Sequence, residues 1–111
     1  MKFTIDIDNL YTLEKYLSIL SLGILDCLEK NILSYDDAMD ILYRPGLIDK
    51  FEEVVPDLGN AIHLGTELEN VFSIIPDQLK QSIEQIRLIN IRSIQKQTNK
   101  GKHIFYYIDE E

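Results

Sequence analysis

Two histidines, one cysteine and nineteen carboxylates are the side chains from which this 111-residue chain would have to build catalysis or a metal site. His63 has Glu67 four positions on and Glu69 six positions on, and on an unbroken helix His63 and Glu67 would share a face as metal ligands. Gly65 and Thr66 intervene. They read as the end of one helix and the start of the next, so Glu67 and Glu69 are assigned to the first turn of the second helix and His63 to a structural or surface role. Asp6-Ile7-Asp8-Asn9 opens like a calcium loop, but Tyr11 stands at the sixth position, where that loop needs glycine, and Leu17 at the twelfth, where it needs a bidentate glutamate. Cys27 lies among Ile24, Leu25 and Leu28 with no histidine near it in sequence, which reads as a buried packing cysteine rather than a nucleophile. The glycines are dispersed at Gly23, Gly46, Gly59, Gly65 and Gly101, so no phosphate-cradling loop forms. The expectation is a non-enzymatic chain with no cofactor and no metal.

The carboxylates themselves suggest binding. Asp36, Asp37 and Asp40, followed by Asp49, Glu52, Glu53 and Asp57, fall near helix starts and on solvent faces, with Tyr35 and Tyr43 beside them as candidate aromatic anchors for a partner. The formal net charge of −8 is uneven: residues 1–79 carry fifteen acids against five bases, and residues 80–102 carry six bases against Glu84. An acidic body repels nucleic acid and anionic bilayers and attracts a basic protein, speeding its encounter. Lys80, Arg87, Arg92, Lys96, Lys100 and Lys102 do not make a nucleic-acid footprint. At about 100° per residue Lys80 and Arg87 point one way and Arg92 and Lys96 far around the helix, and the acidic body lies beside them. Their expected use is neutralisation within the chain or against the acidic face of another copy.

The elements that position these residues follow from periodicity and punctuation. Lys2 to Ile7 alternates polar and apolar residues like a short edge strand. Asp8 or Asn9 then caps a long helix with Leu10, Leu13, Leu17, Leu20, Ile24 and Leu28 on its buried stripe, ending near Asn31. Ser34 with Asp36 and Asp37 starts a second helix whose buried side is Ala38, Ile41 and Leu42. Arg44-Pro45-Gly46 is expected to stop it, Pro56 to close the short amphipathic segment of Leu47, Ile48, Phe51, Val54 and Val55, and Asp57 to cap a segment with Gly65 as its C-cap. Thr66-Glu67-Leu68-Glu69 matches a capping box ahead of Leu68, Val71, Phe72 and Ile75. Pro76 suits the start of a last helix running to about Lys96. His103 to Ile108 is rich in β formers and is expected to pair with the first strand, a mobile tail being the alternative. The whole reads as one domain, residues 1–111, mainly α: four to six helices with a short antiparallel pair of terminal strands. One cysteine, an acid at Asp6 where a secretory signal needs apolar residues, and no run long enough to span a bilayer fit a cytoplasmic protein that does not enter membranes.

The segment Ile62-His63-Leu64-Gly65-Thr66-Glu67-Leu68-Glu69-Asn70-Val71-Phe72-Ser73-Ile74-Ile75-Pro76, with Leu20-Ser21-Leu22-Gly23-Ile24, resembles a small bacterial family of uncharacterised proteins of about this length. That resemblance implies no activity. By type, being small, acidic and without catalytic residues, the chain also resembles the immunity proteins of bacterial contact-dependent growth-inhibition systems. This implies a partner: a basic toxin domain, a nuclease, neutralised by direct contact with the acidic surface. The second reading is a homodimer or other homo-oligomeric interaction protein in which the acidic body of one copy meets the basic C-terminal helix of another.

Overall fold

Local side-chain chemistry sets most helix boundaries in this chain. The computed structural model describes residues 1–7, 9–96 and 104–110. Among them are β1 (Lys2–Ile7), α1 (Leu10–Glu29), α2 (Tyr35–Ile41), α3 (Pro45–Val54), α4 (Pro56–Thr66), α5 (Leu68–Ile74), a 3-10 turn (Pro76–Gln78), α6 (Leu79–Lys96) and β2 (Ile104–Asp109). This is the expected mainly α fold with paired terminal strands. β1 and β2 run antiparallel, Phe3 opposite Ile108, Ile5 opposite Tyr106 and Ile7 opposite Ile104, so apolar residue types meet across the ladder. His103, at the head of the expected second strand, lies outside the described residues. No described helix is long and apolar enough to cross a membrane.

Asn9 caps α1, its Oδ1 accepting from the Thr12 amide at 2.9 Å. Asn31 ends the helix in the left-handed region (φ 58°), with its amide on the Leu28 carbonyl and the Ile32 amide on the Cys27 carbonyl, a Schellman closure. Ser34 then opens α2 with a reciprocal capping box. Its Oγ accepts from the Asp37 amide at 3.0 Å, and the Asp37 carboxylate accepts from the Ser34 amide at 3.3 Å. Arg44 finishes α2 by donating to the carbonyls of Met39 and Asp40.

Four expectations are corrected. Pro45 and Gly46 do not sit in a turn after α2; they form the first turn of α3, where proline lacks only an amide that has no helical partner. Pro56 likewise opens α4 rather than merely closing the preceding segment. Gly65 is no C-cap but a buried residue inside α4, and a Cβ there would lie 2.6 Å from the ring of Tyr43, so the glycine makes room for that ring. Thr66 does not cap α5: its hydroxyl donates back to the His63 carbonyl at 2.6 Å, and α5 begins with no side-chain cap at all.

The core gathers Leu25 and Leu28 of α1, Ala38 and Leu42 at α2, Leu58 and Ile62 of α4, Leu68 of α5, and Ile83 and Ile86 of α6. α1 packs mainly on α6. The expected stripe is buried in its second half, at Ile24 and Leu28, while Leu13, Leu17 and Leu20 are half-buried and Leu10 is exposed; Glu14, Ser18, Ser21 and Leu25 beside it are buried as well. Opposite them α6 buries Asn90 and Ser93. Ile41, expected inside, is exposed. At the centre of this polar seam the Ser21 and Tyr43 hydroxyls lie 2.6 Å apart and Asn90 Nδ2 donates to Ser21 Oγ at 2.7 Å. Ser18 Oγ and Ser93 Oγ are buried with no hydrogen-bond partner among the described residues, so these two serines act by smallness.

Two variant pairs check this packing by urea unfolding. Gly65→Ala is expected to lose about 1–3 kcal/mol by overpacking Tyr43, although alanine is the better helix former. Gly23→Ala, whose added methyl meets nothing within 4 Å, gains about 0.5–1 kcal/mol. Ser21→Ala strips Asn90 Nδ2 of its acceptor and leaves the Tyr43 hydroxyl only the Ser21 backbone carbonyl at 3.3 Å, costing about 1–3 kcal/mol, whereas Ser18→Ala removes only an unsatisfied hydroxyl and leaves stability within about 0.5 kcal/mol of wild type or above it.

Candidate functional site

The seven acids singled out in the sequence are all exposed, on α2 (Asp36, Asp37, Asp40), on α3 (Asp49, Glu52, Glu53) and at the start of α4 (Asp57). Two have structural work. Asp37 holds the capping box of α2, and Asp57 accepts from Lys96 Nζ at 2.7 Å. Lys96 also lies 3.2 Å from the carboxylate of buried Glu14. The bond to Asp57 raises the Lys96 pKa above its ordinary value, against a smaller lowering by burial, and Glu14 adds to the rise. Arg87 pairs with Glu29 of α1 and with Glu84 at 2.7 Å. The basic helix is thus partly neutralised within the chain, one of the two uses its charge suggested.

Tyr43 is the clear correction among the candidates. It is 2 % exposed, its ring against Gly65 and its hydroxyl on Ser21, so it anchors the core and has no surface to offer a partner. His63 and Glu67 are also revised: α4 continues through Gly65 to Thr66, and Nε2 of His63 comes within 3.1 Å of Glu67 Oε1. Both side chains are about half exposed, and among the described residues no group of three or more His, Cys, Asp or Glu could hold a metal ion. Cys27 is half-buried rather than buried.

What the fold does assemble is a groove of about 830 Å³ between two chain corners, the α1–α2 connection and the α5–α6 connection. Leu28, Leu79 and Ile83 line its buried side, and Ile32, Tyr35 and Phe72 its more open side. The Tyr35 and Phe72 rings are 5.8 Å apart and tilted by 36°, which ties α2 to α5. Glu29, Asp36 and Glu69 supply acids to the lining and Lys80 a base. Burial, and then the nearby Glu69 charge, raise the Tyr35 pKa above its ordinary value. A smaller recess of about 100 Å³ shares Tyr35, Asp36 and Glu69 and extends towards Met39 and Thr66.

Of the sequence candidates only Tyr35 and Asp36 reach this groove; Asp49, Glu52, Glu53 and Asp57 do not line it. Glu69, Phe72 and Lys80 were missed as site residues. Phe72 carried a usable signal, a large apolar residue in a segment of one turn or two beside several others, more apolar surface than so short a helix can bury.

Fold and site together define a small helical domain with a terminal two-stranded ribbon and an acid-lined apolar groove. Residues 8–109 match the family described as "Protein of unknown function (DUF3969)", and the chain belongs to that family. No curated protein and no solved structure matches the chain.

Burial raises the Tyr43 pKa well above its ordinary value of 10.0, with the Ser21 hydrogen bond and the Arg87 charge opposing weakly. A raised folded-state pKa means this contribution to stability is whole below pH 10 and drains as pH climbs towards the folded value. Following tyrosinate absorbance against pH should therefore show one tyrosine that ionises only with alkaline unfolding, and Tyr43→Phe should remove that step.

Proposed function

We propose that this protein is a non-enzymatic binding domain whose acid-lined groove takes a basic segment of a partner protein, and that it serves as an immunity protein against a bacterial growth-inhibition toxin. The groove carries the reading. Apolar lining around Leu28, Phe72 and Ile83 can bury an aromatic or aliphatic anchor, while Asp36 and Glu69 can meet lysine or arginine beside it. The α3 acids Asp49, Glu52 and Glu53 add long-range attraction, raising the rate at which a basic nuclease surface arrives. Arg87 and Lys96 already pair inside the chain, which weakens the alternative of α6 meeting the acidic body of another copy.

The first test is the gene neighbourhood: a large secreted protein encoded next door supports the reading and an isolated locus counts against it, and the C-terminal domain of such a neighbour is then the ligand for calorimetry and stopped-flow mixing. Phe72→Ala is expected to weaken affinity about tenfold. The pair Asp36→Lys and Glu69→Lys should slow association, flatten its salt dependence and weaken affinity, whereas the α3 reversals should change association alone. Asp37 is left intact because its loss would disturb the α2 cap. No binding, or affinity indifferent to Phe72, Asp36 and Glu69, overturns the proposal.

A further inference from the structure

We infer that the outer edge of β1 is an interface between two copies of this chain, the two β1 strands pairing antiparallel about a twofold axis at Thr4 to make a four-stranded sheet. A two-stranded sheet is marginal alone, and no described strand pairs with β1 on the side away from β2. Lys2, Phe3 and Thr4 are exposed, Phe3 by 57 %. Charge and hydropathy select one register. With Thr4 opposite Thr4 of the second copy, position 2 (lysine) stands opposite position 6 (aspartate) twice, and position 3 (phenylalanine) opposite position 5 (isoleucine) twice.

Neighbouring registers fail. A slip of one residue sets lysine against isoleucine and mixes the polar and apolar faces. A slip of two, within the strand, sets lysine or aspartate against threonine and loses both opposite-charge pairs. At physiological salt, where the Debye length is about 8 Å, repulsion between the two acidic bodies is largely screened and these short-range pairs decide. The interface is separate from the groove, so it neither needs nor excludes a bound partner there.

Sedimentation velocity on the full chain at physiological salt should show a concentration-dependent dimer, and Asp6→Lys, which sets lysine against Lys2 at both ends, should raise its dissociation constant about tenfold or more while circular dichroism stays unchanged. In a Cys27→Ser background, Thr4→Cys should cross-link two copies on mild oxidation, because opposed Cα atoms of an antiparallel pair lie about 4.5–5.5 Å apart, within the span of a disulfide. Lys2→Cys and Ile7→Cys, which are not self-opposed, should not. Phe72→Ala should leave the dimer intact, separating this result from the groove. A monomer at every concentration, or a dimer in which Thr4→Cys links no better than Lys2→Cys, overturns the inference.

Discussion

The polar seam centred on Ser21 and Tyr43 constrains the rest of this molecule. Tyr43 follows α2 directly, sets its hydroxyl against Ser21 of α1 and its ring against Gly65 of α4, while Asn90 of α6 donates to the same serine. Four helices are thereby registered at one point. Hydrophobic contact around it is non-directional and tolerates sliding; a serine hydroxyl with two specific partners does not, because leaving either one unpaired inside the core costs its desolvation. The small residues follow from the same constraint. Serine at 18 and 93 and glycine at 65 leave space for helices and a ring that larger side chains would hold apart.

Once α1 and α6 are fixed by the seam, their ends fix the groove. The Asn31 closure turns the chain out of α1 and Ser34 with Asp37 turns it into α2. Pro76 makes the corresponding break before α6. The space between the two corners is bridged by Tyr35 and Phe72, and carboxylates gather there because helix starts favour acids for reasons of their own, dipole and capping. Its electrostatic character is in this sense a by-product of how the corners are made. The pairs of Arg87 with Glu29 and of Lys96 with Asp57 and Glu14 engage those two cations within the chain, and Asp36, Asp40, Asp49, Glu52 and Glu53 stay exposed on α2 and α3.

The uneven charge along the chain was legible, and so was the long α6, because both are properties of residue order. The burial of Tyr43 was not. In sequence it stands beside Asp40 and Arg44 at a helix end, where an exposed aromatic is as reasonable as a buried one, and its fate rests on a serine 22 positions away. Gly65 was misread for a related reason: glycine near a helix end and glycine under an aromatic ring look alike until the ring is known. The stripe of α1 was legible in its second half, where Ile24 and Leu28 are buried, and misled in its first, where Leu10 is exposed and Leu13 and Leu17 are half-buried. A periodic apolar stripe locates a face to within its own width, and α6 settled on the small polar residues along its margin.

By itself the sequence determined the class of fold and the start of α2 at Ser34, narrowed the α1 cap to Asp8 or Asn9 and placed the end of α1 near Asn31, because these depend on hydrogen bonds and periodicities that close within a few residues; pairing of the two chain ends it favoured over a mobile tail, and the choice fell to the tertiary structure. Only the tertiary structure decided which face the first half of α1 buries, that Tyr43 belongs to the core, that His63 reaches Glu67, and that Tyr35, Asp36, Glu69 and Phe72 share one groove. Those outcomes depend on which distant helices meet, and a choice among several sterically acceptable helix faces is settled by the sum of packing and polar satisfaction over the whole core.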